Sequence, residues 1–263
     1  MTKDNQVEQK KTLKRVASAS FIGNFVEWFD YAAYGFLATV IAVVFFPQSD
    51  PLTALMAAYA IFAISFILRP LGGIFWGHVG DKFGRKNALS WSIILMTLAT
   101  VCIALLPSYQ SIGIFAPILL LVFRMIQGFS ASGEYAGAAN FLAEYAPKKK
   151  RGLYTSLVPA STAAGLLLGS VMAAAMFAFM SEAFLHEYGW RIPFLLAAPL
   201  GLIGYYIRVK LEDTPEFLEH QKTGQKENFP IKALFNQYRP ALFKAFAVAS
   251  LNATASVSYT HLR

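Results

Sequence analysis

The chain has 263 residues, of which 56% are apolar, 15% aromatic and only 14% charged, where a soluble domain carries about a quarter charged; its mean hydropathy is +0.46. That composition excludes an ordinary water-soluble enzyme and makes lipid the expected solvent. The net charge of +8 does not point to nucleic acid, because the bases sit in short clusters between long apolar runs, and the single cysteine, Cys102, permits no intrachain disulfide, CxxC pair or cysteine zinc site.

Crossing about 30 Å of hydrocarbon at about 1.5 Å per residue takes roughly 20 apolar residues. Segment 1–15 is polar and basic and reads as a cytoplasmic N-terminal tail. The run that follows is too long for a signal-peptide core and lacks a small-residue cleavage pattern, so it is expected to stay as a helix. Six runs qualify as spans, at 17–46, 54–77, 88–106, 112–142, 153–180 and 192–207, and together form a bundle over 16–210. A polar linker is expected at 211–238, and a seventh helix starts within 239–263 and ends in an atypical tail from Ser256. Backbone groups in hydrocarbon must be satisfied within the segment, and no run alternates as a barrel strand does, so the fold class is all-α and polytopic.

Lysine and arginine favour the cytoplasmic side. The tail carries Lys3, Lys10, Lys11, Lys14 and Arg15; the second loop Lys82, Arg85 and Lys86; the fourth Lys148, Lys149, Lys150 and Arg151; the sixth Arg208, Lys210, Lys222, Lys226, Lys232 and Arg239. The loops at 47–53, 107–111 and 181–188 have neither residue type. The expected orientation is therefore multi-pass, with the N-terminus cytoplasmic and six spans returning the chain to the inside. Glycines 72, 73 and 77, then 128, 133 and 137, then 165 and 169 mark expected close helix approaches.

Ionisable residues inside a span cost about 2.5 to 3.5 kcal/mol each and so need a partner, a wet cavity or a function. The first span contains Glu27 and Asp30, three apart on neighbouring positions, with Asn24, Tyr31 and Tyr34 on the same side. Arg69 precedes Pro70 in the second span, and Arg124, Gln127 and Glu134 lie in the fourth. Carboxylates facing an arginine between helices are suited to load and release a proton as a site alternates. Glu27 and Asp30 are the first candidates, although either can equally pair with Arg124 as a structural ion pair. Glu134, about 15 Å along the helix from Arg124, fits the same pathway or a helix-end anchor. Trp28, Phe29, Tyr31 and Tyr34 supply aromatic faces of the kind that hold a quaternary ammonium, or that simply pack.

The second loop reads Gly77-His78-Val79-Gly80-Asp81-Lys82-Phe83-Gly84-Arg85-Lys86. Gly77 is expected to permit a helix contact and Gly84 a turn, Asp81 to cap or pair at the helix ends, and Lys82, Arg85 and Lys86 to hold topology. This segment resembles the G-x-x-x-D-[RK]-x-G-R-[RK] signature of the major facilitator superfamily, at the same place between the second and third helices. Further segments resemble the metabolite:proton symporter family: Gly23-Asn24-Phe25-Val26-Glu27-Trp28-Phe29-Asp30-Tyr31, Arg69-Pro70-Leu71-Gly72-Gly73, Arg124 to Tyr135, Gly189-Trp190-Arg191-Ile192-Pro193-Phe194 and Glu212-Asp213-Thr214-Pro215-Glu216-Phe217. Within it the chain is most similar to the proline/glycine betaine branch, partly through 112–121 and Ala143-Glu144-Tyr145-Ala146-Pro147, while dicarboxylate, citrate and shikimate branches share much of the pattern.

The resemblance implies the N-terminal six-helix half of a twelve-helix fold plus the start of helix seven. It also implies a proton-coupled symporter that carries a small zwitterionic osmolyte by alternating access, without a cofactor. The partners would be substrate, protons and the bilayer, with Asp81 and Arg85 latching the cytoplasmic side in one state. An organic-acid symporter, with Arg69 or Arg124 holding the substrate carboxylate, is the alternative. A non-transporting membrane subunit is the alternative from another class, and no HExxH, GxSxG or Walker loop marks a membrane enzyme.

Overall fold

In a computed structural model, the structure describes residues 3–211, 213, 219 and 238–261, and divides into two compact units, Met1–Lys222 and Thr223–Arg263. Among the described residues there are helices and no strands. Five helical stretches are long and apolar enough to cross a membrane: Pro51–Phe83, Arg85–Ala104, Phe115–Tyr145, Lys148–Phe179 and Gly189–Val209. A sixth is obtained when Lys3–Phe36 and Ala38–Phe45, bent by 67° at Leu37, are taken as one span. This first helix begins at Lys3, so residues 3–15 are helical and continuous with the span. The bend follows Gly35, the residue that least resists leaving helical geometry.

Two other spans are interrupted where the sequence weakens the helix. The second breaks at Leu68, directly before Arg69-Pro70, because Pro70 has no N–H to give the preceding turn. The fourth breaks at Ser132–Gly133, between Phe115–Ala131 and Glu134–Tyr145. Short helices at Tyr109–Ile112 and Glu182–Glu187 occupy two of the loops without Lys or Arg.

Within the first unit, the first span packs against Leu157–Phe179 and Ile192–Val209, the third against the fourth and sixth, and the second against the fourth. Small residues set the distances. A Cβ at position 128 would lie 1.9 Å from the Ser65 carbonyl oxygen, and one at position 72 would lie 2.2 Å from that of Phe129, so the second and fourth spans meet backbone to backbone. Gly165 and Gly169 do the same for the fifth span against Phe25, Phe29 and Ala32 of the first. The expectation fails at Gly73 and Gly77, where a methyl would meet nothing within 4 Å. Both instead line a cavity of about 150 Å³ shared with Trp76, Arg85 and Asn140. Large apolar side chains such as Phe36, Leu71, Leu167, Phe179 and Leu202 stand on the outside of the bundle, as side chains dissolved in lipid do.

Most of the linker expected at 211–238, with Lys222, Lys226 and Lys232, and most of the Glu212 to Phe217 motif lie outside the described residues. The second unit carries the helix Arg239–His261, which includes the seventh apolar run and continues through Ser256. Its last two residues, Leu262 and Arg263, also lie outside the described residues.

Candidate functional site

The polar residues of the first span do not share one destination. Asn24 donates through Nδ2 to the Val158 carbonyl, Ser161 Oγ and Thr162 Oγ1 at 3.0, 2.8 and 2.8 Å, which fixes the fifth span. Glu27 accepts from Arg69 Nη2 at 2.6 Å, so its partner lies on the second span and not at Arg124. Asp30 takes Arg124: Nη1 donates to Oδ2 at 2.6 Å, and Gln127 Nε2 reaches Oδ1 at 3.3 Å and Thr100 Oγ1 at 2.7 Å. Tyr34 donates to the Ala58 carbonyl at 2.9 Å. Two carboxylates therefore face two arginines, each acid holding its own.

Each acid is followed four residues later by a tyrosine whose ring lies against the same guanidinium. Arg124 sits 3.9 Å from the Tyr34 ring centre and 5.3 Å from that of Phe194; Arg69 sits 4.9 Å from Tyr31, 4.6 Å from Phe66 and 6.0 Å from Trp28. Cations over aromatic faces at these distances are attracted by the ring quadrupole. Of the aromatics expected in one cage, Trp28 and Tyr31 line the Arg69 site and Tyr34 belongs to the Arg124 site, whereas Phe29 stacks on Phe25. Phe66, an unremarked member of an apolar run, completes the first cage.

The two sites differ in access. The Arg124 side chain is fully buried, and both Asp30 oxygens are bonded. Glu27 is also buried, but its Oε2 has no hydrogen-bond partner among the described residues, and the Arg69 side chain that faces it is 23% exposed.

Glu134, expected either on the same pathway as Arg124 or as a helix-end anchor, pairs with Arg208 and not with Arg124. It forms a two-pronged ion pair with Arg208, Nη1 reaching Oε2 at 2.9 Å and Nη2 meeting Oε1. Arg208 also donates to the carbonyls of Leu89 and Ala19. This corrects the assignment of Arg208 to the sixth loop, because it lies inside Ile192–Val209 and is 2% exposed. A guanidinium whose charge is matched and whose donors are used can be buried where a lone lysine could not.

The loop motif closes one end of the bundle. Gly84 has φ +100°, a conformation open to glycine, and links Arg69–Phe83 to Arg85–Ala104. Arg85 Nε binds Glu144 Oε1 at 2.7 Å, the Lys86 N–H reaches Asp213 Oδ1 at 3.3 Å, and Tyr145 Oη donates to the Asp213 carbonyl at 3.0 Å. Three sequence segments that carry the resemblance thus meet in space. Asp81 makes no hydrogen bond or ion pair among the described residues and is exposed, while the Lys82 ammonium lies 5.4 Å from the Phe83 ring. Glu144 and Asp213 were not singled out from the sequence, since nothing local to them indicates which loop they reach.

A bundle of six spans with three carboxylate–guanidinium pairs in its interior has the architecture of a secondary-transporter half. Residues 16–233 match the family described as sugar (and other) transporter, and the chain belongs to that family, within the major facilitator superfamily. It is 48% identical over 208 residues to the proline/betaine transporter of Escherichia coli (strain K12), covering 79% of this chain and 42% of that protein. It is 47% identical over 222 residues to the glycine betaine/proline/ectoine/pipecolic acid transporter OusA of Dickeya dadantii (strain 3937), covering 84% and 44%. The chain spans about half the length of the curated relatives it matches. Among solved structures, the xylose transporter XylE from E. coli, partially occluded and inward open, matches with a TM-score of 0.70 at 19% identity, over 80% of this chain and 51% of that one. At that identity the likeness establishes the fold.

Proposed function

We propose that this chain is the N-terminal half of a proton-coupled symporter that imports proline, glycine betaine or a closely related zwitterionic osmolyte. It would act by alternating access in a plasma membrane, with the N-terminus cytoplasmic. The observation that carries the proposal is the Glu27–Arg69 pair: a carboxylate buried within a span, with one oxygen bonded and the other unpartnered, facing a cation that can be reached. A proton arriving at Glu27 would cancel its attraction for Arg69, so protonation and the position of the second span would be linked. Asp30, held at both oxygens, supports the site from one turn further along. In this reading the bundle 16–210 is one rigid half, 211–238 is a cytoplasmic linker, and substrate lies between this half and the one that follows. The names of the relatives support the substrate class. In the organic-acid alternative, an Arg69 that turned to the substrate carboxylate would leave Glu27 buried without a counter-charge.

The test is uptake of labelled proline and glycine betaine into proteoliposomes containing the full-length protein under an imposed proton gradient. Gradient-driven accumulation is expected, and Glu27→Gln should abolish it. Accumulation of citrate or α-ketoglutarate instead would reassign the protein to the organic-acid branch.

A further inference from the structure

Arg69 is held in a box built poorly for a guanidinium. A guanidinium has five N–H donors, and the buried Arg208 uses four of them on Glu134, Leu89 and Ala19. Arg69 donates one side-chain hydrogen bond, to Glu27, and its Nε is buried with no partner among the described residues. Most of what surrounds it is aromatic: Phe66, Tyr31 and Trp28 at 4.6, 4.9 and 6.0 Å. Three π faces and one carboxylate, with few acceptors, make a better host for a cation that has no N–H to satisfy. A quaternary ammonium is such a cation.

We infer that Arg69 is an internal placeholder for substrate, and that the Glu27, Trp28, Tyr31 and Phe66 box is the subsite for a quaternary ammonium. This inference rests on the osmolyte reading and deepens it. A zwitterion inserts into the existing ion pair: its ammonium takes the aromatic box beside Glu27, and the displaced Arg69 guanidinium takes its carboxylate. Charge stays balanced while Glu27 is ionised. Choline would leave Arg69 without a counter-charge inside the bundle, and a simple carboxylate would leave Glu27 without one, so zwitterions are selected over either. The Arg124 guanidinium also has Nε and Nη2 without a partner among the described residues, but it is fully buried whereas Arg69 is partly exposed, and that difference in access assigns the exchange to Arg69.

The experiment is competition against labelled glycine betaine on the purified full-length protein. The probes are unlabelled glycine betaine, choline and 3,3-dimethylbutanoate, the uncharged-carbon analogue of betaine. Choline and 3,3-dimethylbutanoate should each compete at least about a hundredfold more weakly than betaine. Phe66→Leu should weaken betaine binding about tenfold and proline binding much less, because the proline ammonium keeps N–H donors for Glu27. In Arg69→Gln, choline should gain affinity while betaine loses it, a gain that misfolding cannot produce. The inference is overturned if 3,3-dimethylbutanoate matches betaine, if Phe66→Leu weakens proline and betaine equally, or if choline gains nothing in Arg69→Gln. Wild-type protein that binds neither proline nor betaine would overturn the osmolyte reading itself, which is a distinct result.

Discussion

Glu134 and Arg208 lie 74 positions apart in the chain, yet among the described residues of the first unit they form the most completely bonded ion pair. Through the Leu89 and Ala19 carbonyls, the pair ties the sixth span to the first, third and fourth. Removing one partner of such a pair leaves a buried charge uncompensated and costs about 3 to 5 kcal/mol. Glu134→Gln and Arg208→Met should each lower the thermal unfolding temperature in detergent markedly. The double variant Glu134→Leu with Arg208→Met should recover part of that loss. Arg208→Lys should not rescue, since one ammonium cannot serve both carboxylate oxygens and two carbonyls on different helices. If Glu134 were instead a proton carrier, Glu134→Gln would leave the unfolding temperature unchanged and abolish gradient-driven uptake.

Asp30 and Arg124 combine a charge-assisted hydrogen bond with a ring stack, and Gln127 joins them to Thr100 on the third span. Arg124→Lys keeps the charge but loses the planar face over Tyr34, so transport should fall at least about tenfold with normal membrane insertion. Gln127→Leu should cost less, about 1 to 3 kcal/mol of stability, because it leaves the main ion pair in place. Equal uptake by Arg124→Lys and wild type would show that only charge matters at this position.

Glycine positions that look alike in sequence should behave differently. Gly128→Ala places a methyl against the Ser65 backbone, which no rotamer can relieve, so the second and fourth spans must separate. A stability loss of about 1 to 3 kcal/mol or more is expected. Gly73→Ala adds a methyl to open space and should leave the unfolding temperature of the bundle within error. Comparison of the two variants in one thermal assay checks the assignment; a loss at Gly73 equal to that at Gly128 would contradict it.

The spans and the loop motif were legible in the sequence because each depends on local pattern, apolar length and glycine spacing; the cost of charge in lipid marked Glu27, Asp30 and Arg124 but left open which acid Arg124 would face. The partner of Glu27 was not legible. Residues three apart on a helix differ by about 60° around its axis, enough for Glu27 and Asp30 to face different neighbours, and only packing decides which. Arg208 was placed in a loop because it stands beside Lys210 at the end of an apolar run, and its burial becomes intelligible only once Glu134 is found opposite. Phe66 gave no signal at all, as one phenylalanine among many in apolar spans.

The expected latch of Asp81 with Arg85 separates into two parts. Arg85 is already engaged by Glu144, in a pair that is partly exposed and worth about 1 kcal/mol or less, a strength suited to breaking during a conformational cycle. Asp81 has no partner among the described residues, and the role proposed for it belongs to another state of the transport cycle. Asp81→Asn should leave insertion and stability intact and slow turnover. Glu144→Gln should loosen the Arg85 end and change the maximal rate more than the apparent affinity for substrate. Initial rates of uptake against substrate concentration, at matched protein levels, give both quantities. Unchanged rates in Asp81→Asn would remove the loop aspartate from the transport cycle and leave Glu144 as the residue that positions Arg85.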